Sequence, residues 1–114
     1  MKILKLAVVN LEKGSPTKAQ AVQKMKNSLS TYKGLGAKAV ILIHGYGSTG
    51  VGGGIRIAVK EALAESSMRG IVRFFFGGEN WSEYKREAVA VCKQLKEYER
   101  TIDRNKGLTV VILK

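Results

Sequence analysis

One cysteine, one proline, one histidine and one tryptophan in 114 residues leave several familiar chemistries without material. Cys92 alone cannot close an intramolecular disulfide, so nothing argues for an oxidising compartment. Inside a helical pattern it reads as a buried, inert thiol rather than a nucleophile. Acids are scarce as well: 9 Asp and Glu face 20 Lys and Arg, for a net charge of +11. Residues 1–50 carry eight lysines and a single acid, Glu12. Such a surface favours polyanions through counterion release and long-range attraction. The plain alternative is basicity for solubility. No apolar run approaches the ~20 residues of a transmembrane helix, and no membrane partner is expected. The opening Met1–Asn10 has too short an apolar part, contains Lys5 and lacks a small-residue cleavage site, so a secretory leader is not expected. The expectation is a cytoplasmic protein of bacterial type.

What is present is ordinary in bulk, 45% apolar and 25% charged, and fits one domain over residues 1–114. A chain of this size buries roughly two thirds of its unfolded surface, enough for a core without staples. Residues 3–11 are β-branched at their centre and read as a first strand. Ser15-Pro16 has the form of a helix N-cap and first residue. Val22, Met25, Leu29 and Tyr32 then follow at the spacing of one buried helical face, and Gly34 ends the helix. Residues 37–43 read as the second strand and 55–66 as a helix with Ile55, Val59, Ala62 and Leu63 inward. A third strand, 71–76, is followed by Asn80 and Glu83, spaced as a capping box for a helix over 82–102. A turn at 103–107 leads to a last strand, 108–113. The order β-α-β-α-β-(α)-β predicts an α/β sheet with short connections.

The most informative segment is His44-Gly45-Tyr46-Gly47-Ser48-Thr49-Gly50-Val51-Gly52-Gly53-Gly54, which holds six of the 13 glycines. It lies between a buried strand and a helix start. Glycine admits positive φ and lets a ligand approach without a Cβ in the way. A helix N-terminus adds unpaired N–H groups and partial positive charge, so the segment has the chemistry of a phosphate cradle. His44 and Arg56 flank it with one titratable ring and one fixed cation. Gly45-Tyr46-Gly47-Ser48-Thr49-Gly50 fits G-x-G-x-x-G, but a dinucleotide fold expects a carboxylate at the end of the next strand. Glu79 arrives late for that and Glu65 early. A Walker loop needs Lys-Ser/Thr after its last glycine, and Val51-Gly52 supplies neither.

Ile43-His44-Gly45-Tyr46-Gly47-Ser48, with Gly52-Gly53-Gly54-Ile55-Arg56 at a helix start, resembles the H-G-x-G-S…G-x-L-R signature of the Smr (small MutS-related) domain. Val9-Asn10-Leu11-Glu12-Lys13 and then Ala19 and Val22 align with that family's L-D-x-H-G and first-helix pattern. Gly107–Lys114 resembles its closing glycine and strand. The resemblance implies a two-layer α/β domain with a mixed sheet, like the C-terminal domain of translation initiation factor three. It also implies nucleic-acid binding, and in many members nicking or endonuclease activity on DNA or RNA. Some relatives act on messenger RNA at stalled ribosomes, others beside mismatch-repair-like ATPase domains. Two departures stand out. Asn10, Glu12 and Lys13 occupy columns that hold Asp, His and Gly in active members, and residues 77–106 look like an insertion carrying an extra helix.

For chemistry, His44 and Glu12 are the candidate catalytic pair. Imidazole titrates near neutrality, so His44 can serve as acid or base. Asn10 can orient but cannot accept a proton. Glu12 offers one carboxylate for water or a hydrated Mg²⁺; one is thin for a metal site, and no cofactor is expected. Gly45, Tyr46, Gly47, Ser48, Gly50, Gly53, Arg56 and Lys13 are the candidate nucleic-acid-binding residues, Arg56 supplying a phosphate-matched fork. A cation in the first helical turn opposes the dipole, which suggests an anion nearby. The competing reading makes His44 a packed strand-end residue, Arg56 a solvated one and Glu12 a surface carboxylate. Trp81, Tyr84 and Phe74–Phe76 can stack on bases, but their periodicity favours the core. Two functions stay open: a nucleic-acid-binding domain with weak or altered endonuclease activity, and a catalytically silent adaptor. The adaptor would dock on a ribosome, a DNA-processing partner or a second copy through the extra helix.

Overall fold

The computed structural model describes residues 5–45 and 51–114, with side chains excluded at 51–53. Four strands, β1 (Leu6–Asn10), β2 (Ala39–Ile43), β3 (Val72–Gly77) and β4 (Leu108–Leu113), form one sheet in the order β1-β2-β4-β3. β1 and β2 are parallel, and β4 is antiparallel to both β2 and β3. The last strand therefore enters between its two predecessors and leaves the C-terminal ends of β1, β2 and β3 on one edge. That edge also receives the N-terminal end of β4. Arg73 is an extra, exposed residue between Val72, paired with Leu113, and Phe74, paired with Ile112. This bulge keeps β3's inward alternation in step with β4.

Helices α1 (Lys18–Gly34) and α2 (Val51–Leu63) cover one sheet face. Ala21, Met25 and Leu29 of α1 and Ile55, Val59, Ala62 and Leu63 of α2 close over Val9, Val40, Leu42, Val111 and Leu113. This is the α/β arrangement expected, with a mixed sheet. The segment after β3 adds a cover on the opposite face, where Trp81, Ala88, Cys92, Leu95 and Ile102 pack on Ile41, Val110, Ile112 and Phe76. β4 is consequently buried at every position, and its sequence is a continuous apolar run broken only by Thr109. Burial pushes the Cys92 thiol up, in keeping with an inert role.

Several element boundaries differ from the sequence reading. The first helix is capped by Thr17, not Ser15. The Thr17 hydroxyl accepts from the Gln20 N–H, and Gln20 returns a bond to the Thr17 N–H. Ser15 instead adopts positive φ, 51°, in the approach turn. α1 does end at Gly34 as expected, and the positive-φ glycine of the turn beyond it is Gly36. α2 starts at Val51, four residues before Ile55, with three glycines in its opening turns. Asn80 makes no side-chain cap bond, so the anticipated capping box is absent. The helix expected over 82–102 is broken. α3 (Trp81–Val91) stops at Cys92, whose backbone is extended, and a 3-10 helix, Lys93–Tyr98, precedes the short α4 (Glu99–Ile102). Trp81 holds this segment together through an Nε1–H bond of 2.8 Å to Glu99, which Lys85 also meets.

Candidate nucleic-acid interface

The site lies on the edge where β1, β2 and β3 end. After β2, the N–H groups of His44 and Gly45 both donate to the carbonyl of Gly107, at 3.0 and 2.9 Å. The start of the glycine segment is thus tied to the start of β4, with Gly45 at φ 71°. These two N–H groups belong to the fold and are not free for a ligand. Tyr46, Gly47, Ser48 and Gly50 lie outside the described residues. Gly53 is within the first turn of α2.

His44 is fully buried, and the only other buried polar side chain among the described residues is Thr109, also at 0% exposure. The imidazole has two partners: Nδ1 lies 2.6 Å from the Gly45 carbonyl and Nε2 lies 2.8 Å from the Thr109 hydroxyl. A carbonyl only accepts, so Nδ1 carries the proton, and Nε2 accepts from the hydroxyl. Burial lowers the His44 pKa most strongly, the Gly45 bond opposes it, and Lys60 and Arg56 lower it further. The ring is therefore neutral, with both nitrogens engaged. The packed strand-end reading describes it better than a free acid or base, because general-base chemistry needs an open lone pair within reach of substrate.

Asn10 ends β1 by accepting the N–H groups of Glu12 and Lys13 at 3.0 and 2.9 Å, a side-chain-closed turn. Its backbone carbonyl receives Lys24 Nζ at 2.8 Å. The turn places Glu12 against Gly45 so closely that a Cβ at 45 would strike its carboxylate. The structure thus brings together the first-strand motif and the His-Gly segment, with Glu12 and Lys13 exposed beside them. Among the described residues, no three of His, Cys, Asp or Glu converge as a metal site.

Arg56 sits in the second turn of α2, not the first, so the dipole argument loses its basis. The anion beside it is the protein's own Glu79. Nη2 donates to Glu79 Oε2 at 2.6 Å, and Lys60, one turn further along α2, lies 3.8 Å from the same oxygen. Burial would raise the Glu79 carboxyl. Its own backbone N–H, Lys60 and Arg56 together outweigh that and hold it below the usual carboxylate range. Lys18 of α1 lies over Gly54, with its chain end where a Cβ would stand.

Sequence reasoning thus missed Thr109, Glu79, Lys60 and Lys18 as members of this edge. Lys60 had a signal, being four residues after Arg56 on one helix face. The aromatic residues went where periodicity placed them: Phe76 and Trp81 are buried, with Phe74 and Tyr84 packed against the same cluster.

No family model and no curated protein matches the chain. Among solved structures, the Smr domain of Thermus thermophilus MutS2 aligns over 97% of this chain and 99% of its own, with TM-score 0.56 and 22% identity. A parallel β1–β2 pair, a last strand inserted antiparallel and a glycine-rich entry to the second helix are thus built into the same fold as that Smr domain.

Proposed function

We propose that this chain is an Smr-type domain that binds nucleic acid by its phosphates at the strand-end edge. One observation carries the reading: the edge collects the opening turns of α2, glycine-lined, with Lys18, Arg56 and Lys60 around them, on a chain of net charge +11. N–H groups at a helix start and flexible cations are what a phosphate backbone needs. His44 serves this reading as a brace: its two bonds fix where the glycine segment leaves β2. Glu12, against Gly45, is the exposed carboxylate available for proton transfer if strand cleavage accompanies binding.

Fluorescence anisotropy with single-stranded RNA and DNA across a salt series tests it. Log affinity should fall linearly with log salt, and Arg56→Ala should flatten the slope by about 0.7, the value for one phosphate contact on a single strand. Absence of binding to both polymers at low salt, or an unchanged slope in Arg56→Ala, refutes the reading.

A silent adaptor is the second reading, and one feature favours it. A groove of about 540 Å³ on α3 and the following 3-10 helix is lined by Ser82, Lys85, Arg86, Val89, Ala90, Lys93 and Lys96. Incubation of labelled RNA and DNA with and without Mg²⁺ separates the two. Cleavage that disappears in Glu12→Gln excludes an adaptor-only role.

A further inference from the structure

The Arg56–Glu79 contact is incompletely made on both sides. A guanidinium and a carboxylate pair best through two parallel bonds. Here only Nη2 and Oε2 meet, while Arg56 Nε and Glu79 Oε1 are buried with no partner among the described residues. Lys60 stands at 3.8 Å, beyond hydrogen-bond reach of the shared oxygen. Gly77 completes the enclosure: a Cβ there would collide with Glu79 Oε1 and stand 2.9 Å from Lys60 Nζ. Two cations and a bare backbone therefore surround a planar anion that satisfies neither the fork nor the ammonium. A tetrahedral anion offers more oxygens, spread in three dimensions, to Nε, Nη2 and Nζ together.

We infer that Arg56, Lys60 and Gly77 form a phosphate subsite which the Glu79 carboxylate occupies in the free protein, and that a phosphate of the bound strand displaces it. The inference rests on the nucleic-acid-binding reading above and adds its regulation. Glu79 lies at the head of the segment that covers the second sheet face. Displacing it is therefore felt where Trp81 and α3 begin. The latch weakens binding of short or weakly held strands and leaves the site open to strands able to displace the carboxylate.

Anisotropy titrations of the full chain with a single-stranded RNA oligonucleotide test the latch, using Glu79→Gln, Glu79→Asp and Glu97→Gln. Glu97 is exposed, so Glu97→Gln reproduces the charge change without touching the site. Glu79→Gln should bind about five- to tenfold tighter than Glu97→Gln at a similar salt slope, because the carboxylate is displaced in the parent's complex too and the number of phosphate contacts is unchanged. Glu79→Asp keeps the charge but withdraws the carboxylate by one methylene, and should show a smaller gain. That variant carries the test if thermal melting shows Glu79→Gln to be unfolded. Adding Arg56→Ala to the tighter-binding variant should abolish the gain. If the Glu79 variants match Glu97→Gln, or the gain survives Arg56→Ala, the latch is wrong while phosphate binding stands. If no variant binds at low salt, both readings fall.

Discussion

Thr109→Val gives the sharpest test of how His44 is held. Valine keeps nearly the shape of threonine, so the change removes a hydroxyl and leaves little cavity. The imidazole Nε2, 2.8 Å from that hydroxyl and fully buried, then has a lone pair with no donor. A buried polar atom stripped of its partner costs about 1–3 kcal/mol. For a domain of this size that lowers the melting temperature by roughly 4–12 °C, at about 4 °C per kcal/mol. Urea denaturation and thermal melting of Thr109→Val, His44→Phe and the double variant form a cycle. The double variant should lose less than the two single losses added, with a coupling of at least about 1 kcal/mol. A Thr109→Val protein within about 0.3 kcal/mol of the parent would mean that the hydroxyl does not serve the ring, since such differences lie within additivity error. The assignment of His44 as a neutral brace would then fail.

Other outcomes follow from the same edge and its surroundings. Gly78→Ala should destabilise by about 1–3 kcal/mol or more, because a Cβ there meets the backbone carbonyls of Ile102 and Asn105, which cannot swing aside. Gly54→Ala should instead stabilise by ~0.5–1 kcal/mol, since its only close neighbour among the described residues is the flexible end of Lys18 and alanine favours a helix; a chemical melt of each variant decides. The His44 pKa is lowered in the fold, so the unfolded chain binds more protons below about pH 6.5 and stability should fall as pH drops through that range. Glu79 is lowered too, so its contribution, present above about pH 4.3, is lost as pH falls further. Melts between about pH 2.5 and 7.5 should show both losses, and His44→Phe should remove the upper one alone.

The elements most legible in the sequence were those whose pattern answers to local geometry. Leu108–Leu113 could be read at both ends because a strand covered on both faces needs apolar residues throughout. The inward set Ile55, Val59, Ala62 and Leu63 followed from the 3.6-residue period of α2. The third helix misled for a related reason: Leu95 and Ile102 stay buried across the break at Cys92, because 3-10 and α turns present side chains at similar intervals. Ser15 and Thr17 both suit an N-cap, and only the path out of the Asn10 turn selects Thr17.

By itself the sequence determined that a glycine-rich entry to a helix, flanked by His44 and Arg56, sits at a strand end in a strongly basic α/β chain. Such facts depend on neighbours along the chain and on total charge. Tertiary structure alone decided the partners of those two residues, because strand order places Thr109, 65 positions away, beside His44, and Glu79, 23 positions away, beside Arg56. A side chain's chemistry is set by whatever shares its volume, and no spacing rule along the chain reaches that far.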